Sequence, residues 1–273
     1  MHSITTLLAA TAGIPLAAAQ YGNFGSPFPN TTYPGFEQED PVVQAGTSSF
    51  QASPPGYPSP WTEGLGDWGP AVQQARDFVS QLTLEEKVNL TTGTGWQLER
   101  CVGQTGSIPR LGFRSLCLQD GPLGVRDTDY ISAFPAGVNV AATWDRGLAN
   151  ARGLAMATEH RGKGVDIQLA PVAGPLGRTA EGARNWEGFS PDPYLTGVMF
   201  ADSIKGIQSA GIMACAKHYI AYEQDHFRLV DDSATWGFNI SEPISANLDD
   251  QTLHELYLWP FADGIRAGMS LQS

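Results

Sequence analysis

The plainest signal in the chain is a run of apolar residues, Ile212-Met213-Ala214-Cys215-Ala216, that ends in Lys217 and His218 before Tyr219. Strands of a parallel sheet buried on both faces read as continuous apolar runs, so two polar side chains at the end of one are out of place. Neighbouring strand residues point to opposite faces, which puts one of the pair inside a strand-end site and the other at its rim. The bland alternative is a strand that ends in solvent, with a surface lysine and a satisfied histidine.

Similar punctuation recurs along the chain. Val72, Ala75, Phe78, Val79 and Leu82 fall at helical spacing within 71–82, and Thr83 with Glu86 forms a capping box for a helix through Leu90. Ser115 to Leu118 predicts a strand that runs into Gln119-Asp120-Gly121-Pro122. A helix follows over 144–161, stopped by Gly162 and Gly164, and then a strand over 165–170. Residues 193–210 predict a helix leading through Gly211 into the apolar run, and 249–267 predict a last helix kinked at Pro260. Strands alternating with helices give an α/β fold with a parallel sheet, either a barrel or a doubly wound sheet. Residues 20–66 lack either periodicity and are rich in Pro, Gly and Ser, which predicts an extended arm.

Composition narrows the partners. A formal charge of -12 argues against nucleic acid, because phosphate binding needs a basic surface. The first nineteen residues hold no acid and end in Ala17-Ala18-Ala19, as a secretory signal does; Gly13 and Pro15 interrupt a run too short for a membrane span. Secretion agrees with three N-glycosylation sequons, at Asn30, Asn89 and Asn239. Cys101 and Cys117 bracket a Gly- and Pro-containing loop, and a bond closing it fits an oxidising compartment. Cys215 reads as a small buried hydrophobe. No metal-ligand spacing occurs among the Cys and His residues.

The candidate chemistry lies at strand ends and in loops. Asp120-Gly121-Pro122-Leu123-Gly124-Val125-Arg126 places a carboxylate, a tight turn and an arginine together, or is simply a turn with an ion pair. Arg184-Asn185-Trp186-Glu187 through Tyr194 is an aromatic-rich loop suited to a sugar platform; the alternative is Ser190 or Asp192 as a helix cap and Trp186 as core. Tyr222 to Arg228 is a further polar segment. Asp120, Arg126, Arg184, Lys217 and His218 together make a set of donors and acceptors with neither metal nor phosphate loop, which suits a neutral polyhydroxylated ligand.

The stretches Leu116 to Trp144, Gly174 to Pro193, Ala216 to Phe227 and Asn247 to Ala267 resemble the fungal secreted β-glucosidases of glycoside hydrolase family 3, over about Trp61 to Gly268. The resemblance implies a (β/α)8 barrel domain over 67–273, incomplete at its C-terminal end, with no cofactor and a β-glucoside or cello-oligosaccharide as partner. It implies Asp120 as acceptor for distal glucosyl hydroxyls, Arg184, Lys217 and His218 as donors, Arg126 bracing Asp120, and Trp96 near the pocket. Retaining hydrolases need an Asp nucleophile and a Glu acid/base about 5 Å apart. The family nucleophile lies in a Ser-Asp-Trp motif that does not occur in this chain, and the acid/base belongs to a second domain. The expectation is therefore a truncated form with no catalytic residue, inactive and prone to misfold alone. The competing readings are a non-catalytic glucoside-binding remnant, a nonfunctional fragment, and a phosphorylase or hexosaminidase variant.

Overall fold

The structure, a computed structural model, describes residues 68–96, 100–179, 182, 184–223, 228–234, 236–239, 241 and 248–272. The expected signal segment (1–19), the expected arm (20–66) and the Asn30 sequon lie outside these residues. Two compact units divide the chain. Helix α1 (Gly69–Val79) belongs to one, and Leu82–Ala234 with Asn239–Ser273 forms the other.

The larger unit opens with α2 (Leu84–Thr92). Thr83 and Glu86 close the expected capping box here, each side chain accepting from the other's backbone N–H. Strand β1 (Gly103–Gln104) then pairs antiparallel with β2 (Cys117–Gln119). Cys101 and Cys117 are disulfide-bonded and pack against Val165, buried. A closed loop of this length contributes on the order of 3 kcal/mol by restricting the unfolded chain.

After β2 come α3 (Gly137–Ala141) and α4 (Arg146–Gly162), then β3 (Ile167–Gln168), α5 (Pro193–Ser209) and β4 (Met213–Ala216). Helix α4 starts where the Asp145 carboxylate accepts from Leu148 N, and α5 where Asp192 accepts from Tyr194 and Leu195 N. Asp192 is thus a helix cap, the plainer of its two readings. A short α6 (Val230–Ala234) precedes the C-terminal helical stretch.

That stretch differs from the single helix kinked at Pro260 that the sequence predicts. It comprises α7 (Asp250–Thr252), a π-helical turn over Leu253–Tyr257, and α8 (Leu258–Arg266). Pro260 has no N–H to donate to residue 256, and widening the preceding turn accommodates that missing bond. Strand β5 (Leu271–Gln272) ends the described chain.

The sheet order is β1-β2-β3-β4-β5, parallel from β2 onward. The α/β fold class is as expected from the sequence. The register Leu118–Ile167–Met213 fixes which residues share a face. Two residues further along β4 is Cys215, and Lys217 continues that face. Ala214 and Ala216 face the other way and pack with Ala149, Ala157, Ile204, Ile207 and Phe261. Small side chains on α4 and α5 let these helices approach closely: a Cβ added at Gly153 would lie 2.6 Å from the Ser203 carbonyl.

Candidate functional site

The C-terminal ends of β2 and β4 bring together residues 97 positions apart. Lys217 Nζ donates to Asp120 Oδ1 at 3.1 Å, and Lys217 is only 5% exposed. Arg126 Nη1 stands 3.7 Å from Asp120 Oδ2, an ion-pair distance, on the solvent side. The expected bracing of Asp120 by Arg126 is present, but the closer and more buried partner is Lys217.

Arg184 is held by a two-pronged pairing with Glu187, Nε to Oε1 and Nη2 to Oε2, both at 2.9 Å. Its third nitrogen, Nη1, reaches the Tyr222 hydroxyl at 3.3 Å. Burial disfavours the Arg184 charge, yet the Glu187 carboxylate and the Tyr222 hydroxyl more than offset it and raise its pKa. Tyr222 in turn stacks on the His218 ring with centroids 4.4 Å apart.

His218 is less buried than Lys217 and lies just past the end of β4. Its Nδ1 lies 3.0 Å from the Gly174 carbonyl, which can only accept, so Nδ1 carries the proton. In the neutral ring Nε2 is then an acceptor. Burial is the main cause that lowers the His218 pKa to about 4, with the Arg184 and Lys217 charges adding to it. The ring therefore stays neutral through mildly acidic conditions. The family resemblance implies a donor role for His218; this hydrogen bond leaves it an acceptor toward a ligand.

Sequence reasoning misses the supports beneath this site. Arg152, Met156 and His160 recur every four residues on the buried face of α4. Arg152 donates to the carbonyls of Pro122 and Pro135, and His160 Nε2 lies 3.3 Å from the Asp120 carbonyl. Burial lowers the pKa of Arg152 to about 10 and also lowers that of His160. Arg152 grips the backbone that follows Asp120, while His160, whose Nδ1 lies closer to the Met156 carbonyl at 2.9 Å, packs beneath the Asp120 carbonyl. Their only sequence signal is two polar residues on the same stripe as Met156, easily read as a solvated face.

Other expected residues stand apart. Trp186 is 50% exposed, so its alternative reading as core does not hold; Phe189 of the same loop is buried. Trp96 is exposed. Asn89 and Asn239 are exposed, and Asn89 donates its side-chain amide to Ser107 O. Among the described residues there is no cluster of three or more His, Cys, Asp or Glu able to hold a metal, and no helix long and apolar enough to cross a membrane.

An α/β domain with paired charges gathered at its strand ends is thus defined by geometry. The profile of the glycosyl hydrolase family 3 N-terminal domain matches residues 97–271. Beta-glucosidase A of Aspergillus kawachii is 68% identical over 227 residues, covering 83% of this chain and 26% of the relative. Among solved structures, the glycoside hydrolase family 3 β-glucosidase of Neurospora crassa superposes with a TM-score of 0.73 at 62% identity, covering 79% of this chain and 26% of that one. β-Glucosidase 3B of Thermotoga neapolitana, solved with α-D-glucose, gives 0.62 at 33% identity, covering 71% and 28%. The chain belongs to glycosyl hydrolase family 3, through the N-terminal domain of that family. It spans about a quarter of the length of the relatives it matches.

Proposed function

We propose that these strand ends form the glucosyl subsite of a secreted β-glucosidase, one that removes terminal non-reducing β-D-glucosyl residues with retention of configuration. The observation that carries this reading is the buried Asp120–Lys217 pair at 3.1 Å. A neutral polyol offers no charge to attract, so it is held by hydrogen bonds to charged groups, worth roughly 1.5–3 kcal/mol each. Asp120 retains lone pairs for hydroxyls, and Lys217 retains two of its three donors. Arg184 is fixed in orientation by Glu187, and His218 Nε2 accepts from a hydroxyl at the rim. Cello-oligosaccharides and related β-glucosides fit this chemistry; the reading needs no cofactor, nucleic acid or membrane.

Hydrolysis with retention requires two carboxylates about 5 Å apart. We give neither role to a residue of this chain and place both in polypeptide that the longer relatives possess. The parallel strands with helices outside them are read as the first part of a (β/α)8 barrel over 67–273. A signal peptide (1–19) and an arm (20–66) precede it. Exposure of Asn89 and Asn239 supports their sequons as glycan acceptors alongside Asn30, in an extracellular protein.

Calorimetric titration with glucose tests the subsite. Asp120→Ala is expected to weaken glucose binding by about tenfold or more, the loss of one to two charge-assisted hydrogen bonds. Unchanged affinity removes Asp120 from the subsite. Turnover of an aryl glucoside by the purified 273-residue chain would overturn the placement of both catalytic carboxylates elsewhere.

A further inference from the structure

The opposite ends of the strands carry a second polar site, unused by anything above. A cavity of about 460 Å³ lies where the chain approaches β3 through Gly164-Val165-Asp166 and β4 through Gly211-Ile212. Arg100, Arg114 and Arg161 all line it. Arg114 is committed to Asp166 by a two-pronged pairing. Arg161 donates to the Ala210 carbonyl at 2.8 Å, a neutral partner, and Arg100 acts on Asp166 only through longer-range attraction. Among the described residues lining the cavity, three guanidiniums therefore face one carboxylate, in a chain whose net charge is -12.

The two unmatched guanidiniums each lie over a glycine turn, and at one of them the bare backbone makes room for the arginine. The turns from α4 to β3 and from α5 to β4 each pass through a glycine at φ +81°, Gly164 and Gly211. A Cβ on Gly164 would lie 3.7 Å from Arg100 Nη1, and one on Gly211 3.1 Å from Arg161 Nη1. At Gly211 that is tight enough to push the guanidinium aside. Each bare turn thus has an arginine lying over it at the cavity wall.

We infer that this cavity binds a divalent tetrahedral oxyanion of the sulfate or phosphate class. Guanidinium forks match oxyanion geometry, and the two unmatched positive charges equal the charge of the ion. The cavity lies at the N-terminal ends of the strands, away from the Asp120 site, so the ion acts on structure: it bridges the segment before β1 to the two helix-to-strand turns.

Thermal unfolding of the 273-residue chain in about 20 mM sulfate, against chloride at equal ionic strength, tests the site. The midpoint is expected to rise by about 3 °C or more in sulfate. Phosphate should do the same at neutral pH and lose the effect in acid, where it sheds its second charge, while sulfate keeps it. In the double variant Arg100→Gln, Arg161→Gln the rise should vanish with glucose binding unaltered. Equal midpoints in sulfate and chloride overturn the inference. So does a rise that survives in the double variant, since that is general exclusion of sulfate from the surface. If the variant does not fold, equilibrium dialysis of labelled sulfate against the unsubstituted chain decides: one ion per chain, displaced by phosphate, supports the site, and none overturns it.

Discussion

At the C-terminal ends of β2 and β4 the ion pair is Lys217–Asp120, with the two side chains 6% and 22% exposed. At the N-terminal ends it is Arg114–Asp166, where the arginine side chain is 65% exposed. The same charge chemistry has a different meaning in the two places. Removing a lysine from water is costly, and a carboxylate at hydrogen-bond distance offsets that cost only while it remains there. Such a pair is poor as a fastener and well suited to a binding site, because its remaining donors and lone pairs are fixed and poorly hydrated. The exposed pair costs little and contributes little. Lys217→Met sharpens the contrast most. It leaves the Asp120 carboxylate with only the longer, exposed contact to Arg126, so a loss of about 2–3 kcal/mol in unfolding free energy is expected by chemical denaturation, together with loss of glucose binding. A near-neutral result would mean that Asp120 is solvated well enough to stand alone.

His218 gives the next largest effect and ties the first end of the sheet to pH. Its pKa is about 4 in the fold against an ordinary 6.5. Between those values the unfolded chain takes up a proton that the folded chain refuses, so stability is full above pH 6.5 and falls as pH drops toward about 4. The part due to His218 is about 2–3 kcal/mol over that window. His218→Gln should flatten the acid limb of a stability-versus-pH curve without abolishing it, because burial shifts His160 in the same direction. An unchanged curve would mean that His218 titrates alike in the folded and unfolded chain, and that burial does not hold its ring neutral.

The two ends differ in how far the sequence exposes them, for physical reasons. Lys217 is visible because a continuous apolar strand makes any polar residue conspicuous, and Asp120 because it closes a strand before Gly-Pro. Helix starts are legible where a side chain caps them, as at Thr83. The supports are not legible: Arg152 and His160 need the third dimension to show that their stripe of α4 faces a loop rather than water. Strands β1 and β5, two residues each, are too short for any periodicity to register. The platform loop leaves open which of its rings is buried, because size alone does not separate the half-exposed Trp186 from the buried Phe189. The arginines at the far end give no sequence signal at all, since Arg100, Arg114 and Arg161 are scattered along the chain and only the turns at Gly164 and Gly211 assemble them.

The helix layer between the ends supplies a control. Gly153 lies on α4 against α5, and Gly153→Ala would force a methyl group to 2.6 Å from the Ser203 carbonyl. The helices must separate, at about 1–2 kcal/mol. Because this position touches neither site, the loss should appear equally in all salts and across the whole pH range over which His218 titrates. A pH-dependent loss would show that the helix packing and the Asp120–Lys217 strand ends are coupled through Arg152.

The smallest effect is expected from Arg114→Ala, and its value lies in its salt dependence. The hydrogen bond from Arg114 is the main reason the Asp166 carboxyl titrates below its ordinary value, although Cys117 N also donates to it at 2.9 Å. With the arginine gone, that backbone bond still holds Asp166, so the fold should persist with a slightly lower unfolding midpoint. The difference from the unsubstituted chain should shrink as salt screens the exposed pair, and should disappear as pH falls below the ordinary Asp value of 3.8 and Asp166 is neutralised. The Lys217→Met loss, by contrast, should resist salt because that pair is shielded from counterions. If both losses screened alike in a salt titration, the distinction between a buried site and an exposed brace would fail, and Lys217 would have to be reached by water.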